Sequence, residues 1–197
     1  MPVYCSVDMT KSEISQFDYR KVAKLDTDMW ISYRKSNRKF IGLSLQAFRL
    51  IKHELRFSWI ATARMAFYAG RAAAVYRLRK GNENYVKAQK NLTKLFKTVS
   101  DNCTKPFDYN KAAKLELEWW DIQRYPEKHK KSLEQSLAEN MAAVYNVTPE
   151  KTEGYGRNRA KALALLNKDD QRFYKGEFST LLKKSWESLH DSIQNEN

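Results

Sequence analysis

Glycine and proline are scarce in this chain, six and four among 197 residues. Sandwiches and barrels need many tight turns and use both freely, so the shortage argues against them and for a mostly helical protein. Two cysteines, Cys5 and Cys103, make neither a disulfide framework nor a zinc motif and read as reduced thiols of a cytoplasmic protein. No run approaches the ~20 consecutive apolar residues of a membrane span. The opening "MPVYCSVDMTKSE" lacks the basic, apolar and small-residue regions of a signal peptide. There is no glycine-rich phosphate loop, no Cys-x-x-Cys and no Ser/His/Asp arrangement to carry an enzyme class. Of the three histidines, His53, His129 and His190, only His190 follows a glutamate by three, Glu187, so the Glu-x-x-His step that a di-metal bundle needs in each half is missing from the first half. Neither a metal nor another cofactor is expected.

Charge is abundant but uneven. The net charge is +13, and residues 1–100 hold twenty Lys and Arg against seven Asp and Glu. The remaining residues carry equal numbers of each. The whole excess lies in the first half. It points to an anionic partner there, whether nucleic acid, an acidic protein or a membrane surface. Within "RKFIGLSLQAFRLIKHELRF", basic residues fill the gaps of a wide apolar face, so Arg38, Lys39, Arg49 and Lys52 are the candidate partner surface.

Helical spacing of apolar residues runs throughout, and the chain states it twice. "FDYRKVAKLDTDMW" begins at Phe17, and "FDYNKAAKLELEWW" follows ninety positions later at Phe107. "RAAAVYRL" from Arg71 likewise lies against "RAKALALL" from Arg159. These matches predict an internal duplication. The expected fold is all-α: about eight helices in one domain over 1–197, with a basic repeat at 17–100 and a neutral one at 107–193. The halves should dock face to face through their first helices around a pseudo-twofold axis, bringing Trp30 and Trp120 together. Expected helix starts are Asp18, Asn37, Ser58, Asp108, Pro126 and Thr148.

At ~100° per residue, Asp26 falls on the apolar face of its helix with Val22, Leu25 and Met29. Glu116 does the same among Ala112, Leu115 and Trp119. A buried carboxylate needs a partner. Ile60, Phe67, Ala74, Val75 and Leu78 form a stripe around Arg64 and Arg71, and a similar stripe surrounds Arg159. Asp26 is therefore expected to pair with Arg71 or Arg64, and Glu116 with Arg159, through the planar guanidinium fork. Two readings stay open. The pairs are structural and fix helix register, or they line a pocket between the halves for a small anionic or planar ligand. Such a pocket would be built from Asp26, Trp30, Tyr33, Arg71, Glu116, Trp120 and Arg159.

The signatures "VAKLDTDMW", "KLELEWW" and "GYGRNRAKALAL" resemble an uncharacterised bacterial all-helical family over roughly Phe17 to Leu166. The resemblance implies that the acid, the tryptophan and the late arginine recur, here Asp26, Trp30, Glu116, Trp120 and Arg159. The chain departs from that pattern at Gln123-Arg124, where a His-Arg pair is more typical. No activity comes with it. The function expected is a non-enzymatic interaction or ligand-binding module. The alternatives are nucleic-acid or anionic-membrane binding through the basic half, and a small-molecule enzyme using the internal polar cluster. Oligomeric state is open, a twofold homodimer being the commonest outcome.

Overall fold

The computed structural model describes residues 11–35, 48–78, 82–166 and 175–194; within these, the side chains of residues 33–35 and 53 lie outside the description. Among the described residues the fold is all-α, with no strand. Seven α-helices account for most of it: α1 (Tyr19–Lys35), α2 (Trp59–Arg77), α3 (Asn82–Asp101), α4 (Tyr109–Arg124), α5 (Leu133–Tyr145), α6 (Glu153–Leu166) and α7 (Lys175–Gln194). A π-helical turn at Leu50–Glu54 makes eight, and two short 3-10 turns fall at Pro126–Lys128 and Pro149–Thr152.

Local chemistry sets the helix ends. Asp18 and Asp108, equated in the sequence, both accept two backbone N–H bonds at a helix start, from Arg20 and Lys21 and from Asn110 and Lys111. Ser58 caps α2 by accepting from Ala61 N at 3.3 Å. The expected start of α5 at Pro126 is corrected. Proline opens only the 3-10 turn, and α5 begins after Ser132, which forms a reciprocal capping box with Gln135. Thr148-Pro149 likewise opens a 3-10 turn, and α6 follows from Glu153. The helix expected from Asn37 falls partly outside the described residues. What is described of it ends in the π-helical turn, closed by Leu55 N donating to Leu50 O at 3.2 Å. The chain then reverses at Arg56, whose φ is 57°.

Each helix from α2 to α7 packs on its sequence neighbour, and α1 crosses the molecule to pack on α7. The face-to-face docking of α1 on α4 is thus corrected. α1 lies on the last helix of the second half, and α4 lies between α3, the last helix of the first half, and α5. α4 serves two cores. Ala112, Ala113 and Leu117 join Met65, Tyr76, Leu92 and Phe96 of α2 and α3. Trp119 joins Val22, Leu137, Tyr155, Leu163 and Leu189 from α1, α5, α6 and α7. The arm before α1 is tied between them. Ser12 N donates to Asn102 O at 2.8 Å and Thr104 N to Ser12 O at 3.0 Å, while Phe17 packs edge-on against Trp186.

One further correction concerns α2. The stripe of Ile60, Phe67 and Leu78 expected to face inward is on the solvent side, and the buried residues are Ala61, Thr62, Met65, Ala66, Gly70, Ala72 and Tyr76. Both sides of this helix are apolar, so periodicity gives no preference. The face with small side chains is the one that admits a neighbouring helix closely, and α3 takes it.

Candidate functional site

Among the described residues, the inward acids meet a single buried cation. Asp26 on α1 is 2% exposed and Arg159 on α6 is 7% exposed. Arg159 Nη1 donates to Asp26 Oδ2 at 2.5 Å, and Nη2 lies 3.4 Å from Oδ1. Trp186 on α7 donates its indole N–H to Asp26 Oδ2 at 2.8 Å. The guanidinium carbon of Arg159 also sits 5.6 Å from the Tyr155 ring centre and 5.9 Å from that of Trp186. One carboxylate, one guanidinium and two aromatic rings therefore close on one another across α1, α6 and α7.

Two glycines make this closure possible. A Cβ at Gly156 would lie 2.3 Å from Glu134 O of α5, and one at Gly154 would lie 2.0 Å from Ser188 Oγ of α7. With no side chain at either place, α6 sits tightly between α5 and α7 and delivers Tyr155 and Arg159 inward. Ser185 Oγ, donating to Tyr155 O at 3.2 Å, fastens α7 to the same turn.

Glu116 is not the direct partner of Arg159. It accepts from its own helix, from Trp120 Nε1 at 3.0 Å and from the Trp119 indole. Burial pushes its carboxyl above the usual range. Those indole N–H groups and the charge of Arg159 pull the other way without winning. For Arg159, burial works against the charge, but Asp26 first, then Tyr155 and Glu116, raise its proton affinity further. Burial also pushes the Tyr155 phenol up, so it stays neutral. One guanidinium thus faces two carboxyls, and the nearer takes its hydrogen bonds.

This arrangement has a pH signature. Glu116 is raised in the folded protein, so the stability it contributes is complete below pH 4.5, its ordinary value, and is lost as pH rises through the raised value. Glu116→Gln, uncharged at every pH, should therefore melt like the wild type near pH 4. It should melt higher, by roughly a few degrees, towards pH 8. Melting temperatures of both proteins across that range check this. A gap that does not change with pH would mean that Glu116 titrates normally.

The other expected site residues divide. Trp30 and Trp120 are half-buried and pack against the same core. Arg71 and Arg64 are exposed, and the guanidinium of Arg71 lies 5.9 Å from the Phe67 ring centre. The pairing of Asp26 with either is corrected: α1 packs on α7, so its acid reaches an arginine of the second half. Arg49 is exposed, whereas Lys52 spends its ammonium on Phe57 O at 3.0 Å. Arg38, Lys39 and the Tyr33 side chain lie outside the described residues. Two surface clefts, of about 280 and 360 Å³, have Arg20, Lys24 and Lys183 on one and His129, Lys130 and Lys131 on the other. None of the six expected pocket residues whose side chains are described lines either cleft. Neither family models nor curated proteins nor solved structures match this chain.

Reading the sequence missed Trp186 as a member of the cluster. The available signal was chemical: a tryptophan in an apolar row still needs an acceptor for its N–H. It also missed a polar chain beside the larger cleft. Tyr76 donates to Asp121 Oδ1 at 3.2 Å, and His129 Nε2 lies 3.1 Å from Asp121 Oδ2.

Proposed function

We propose that the protein is a non-enzymatic helical interaction module. Its Asp26–Arg159 cluster holds the halves together, and its basic first half meets an anionic partner. The observation that carries this reading is α2: nineteen residues with three arginines and no acid, and Arg64, Arg71 and Arg77 all exposed. The closed state of the cluster supports it too. A ligand site or a proton-transfer site would need Asp26 or Arg159 to be available, but the oxygens of Asp26 are taken by Arg159 and Trp186, and both terminal nitrogens of Arg159 are turned to Asp26.

The test uses immobilised heparin as a soluble-polyanion mimic, with elution followed against salt. Binding driven by phosphate- or sulfate-like charge weakens steeply as salt rises. Reversing Arg49, Arg64 and Arg71 to glutamate is expected to release the protein at much lower salt. Reversing Lys128, Lys130 and Lys161, also exposed, is expected to change little. Equal loss from both sets would remove the asymmetry on which the reading rests.

A further inference from the structure

The solvent side of α2 carries an apolar ridge. Trp59 and Ile60 are each 64% exposed, Leu78 is 63% exposed and Phe67 is 51% exposed. At ~100° per residue Ile60, Phe67 and Leu78 fall within about 20° of one another, and Arg64 and Arg71 flank them within about 60°. Arg77 and Trp59 flank the ridge on its other side. At ~1.5 Å per residue the row is about 28 Å long. Single exposed apolar residues are ordinary, but four along one helix mark a surface that meets something. Neither Arg64 nor Arg71 forms an ion pair with a described residue. On the neighbouring helix, Lys94 holds its ammonium 5.7 Å from the Tyr68 ring centre and adds to the positive field.

Charge and shape together select the occupant. A second copy docked through the same ridge would set Arg64 and Arg71 against their equivalents, and α2 has no acid to answer them. A partner helix would cover Ile60, Phe67 and Leu78 but would need acids placed along both its flanks, to answer Arg64 and Arg71 on one side and Arg77 on the other. A nucleic-acid backbone would satisfy the arginines but leave Ile60, Phe67 and Leu78 against phosphates. An anionic bilayer satisfies both: phosphates at the head-group level and hydrocarbon just beneath.

Resting on the anionic-partner reading above, we propose that α2 is an interfacial helix for anionic lipid. Trp59, Ile60, Phe67 and Leu78 enter the boundary between head groups and acyl chains. Arg64, Arg71 and Arg77 lie along lipid phosphates, their stems following the apolar side chains. No described helix is long and apolar enough to cross a membrane, so the association is peripheral. The positive excess of the first half brings this face towards the negative leaflet.

Full-length protein is mixed with vesicles of phosphatidylcholine, alone or with about one-third phosphatidylserine, and bound protein is separated by flotation. Binding to the anionic vesicles only is expected, with tryptophan fluorescence quenched by bromine on the upper acyl chain. Arg64→Gln with Arg71→Gln should weaken binding about 25-fold, about fivefold for each charge removed. Phe67→Ser should weaken it about tenfold. All three side chains are exposed, so the melting temperature should not move. If the arginine variants lose affinity while Phe67→Ser binds normally and no quenching is seen, contact is purely electrostatic. The insertion proposal then falls and the anionic-partner reading stands. Binding to heparin but not to anionic vesicles has the same meaning. Binding to neither overturns both. A dimer in solution that Phe67→Ser dissociates would assign the ridge to a second copy instead.

Discussion

Asp26→Ala is expected to destabilise the protein by about 3–5 kcal/mol, because it leaves the Arg159 guanidinium buried without the carboxylate that takes its hydrogen bonds. For a chain of this length that corresponds to a fall in melting temperature of roughly 6–20 °C. Arginine cannot shed its charge at any accessible pH. The loss should therefore persist however the buffer is chosen. The pair itself is a different matter. Taking two charges out of water costs about as much as their attraction returns, so replacing both with apolar residues of similar volume is often close to neutral. Asp26→Leu with Arg159→Met should recover most of the loss. It should stop short of full recovery, because Trp186 would keep an indole N–H without its acceptor, at about 1–3 kcal/mol. Chemical denaturation of the wild type and the two variants measures this directly. A wild-type-like midpoint for Asp26→Ala would show that the acid is solvated and that the cluster holds nothing.

The same residues show what the sequence made legible. That Asp26 points inward followed from its place between Val22 and Met29, and the structure buries it. The capping roles of Asp18 and Asp108 followed from side-chain chemistry and position, both local properties. What failed was what depends on the path of the chain. Arg71 and Arg159 occupy matching places in similar segments, and the sequence offered both as partners for the acids. Only the crossing of α1 to α7 decides that Arg159 takes Asp26 and that Arg71 stays in solvent. α2 failed for another reason. Both its sides are apolar, Ile60, Phe67 and Leu78 on one and Ala61, Met65, Ala66, Ala72 and Tyr76 on the other, so hydrophobicity alone gives no preference. Close approach to α3 favours the side with the alanines, and packing won.

The crossing of α1 leads to the largest expected effect. Residues 1–103 and 104–197, expressed separately, should each fail to show a cooperative thermal transition, and an equimolar mixture should recover one. Each fragment would lack the helix that covers its core. The first keeps α1 but loses α7, exposing Val22 and Ala23 and leaving Asp26 without Arg159. It also loses α4, which packs on the row of Leu92 and Phe96. The second keeps α7 but loses the Phe17 ring packed edge-on against Trp186, and Arg159 is left buried or drawn into water. A fragment of ~100 residues buries a smaller share of its surface than the whole and has little margin to absorb such losses. Mixing restores two exchanged contacts at once, α1 on α7 and α4 on α3. Recovery should therefore be cooperative and should depend on fragment concentration. It should also depend on the ion pair: a first fragment carrying Asp26→Ala should complement much more weakly, since the two fragments meet through that carboxylate. Circular dichroism melts and size-exclusion chromatography of the single and mixed fragments provide the readout. Two monomeric fragments, each melting cooperatively alone, would show that the halves fold independently and that the crossing of α1 contributes little to the core.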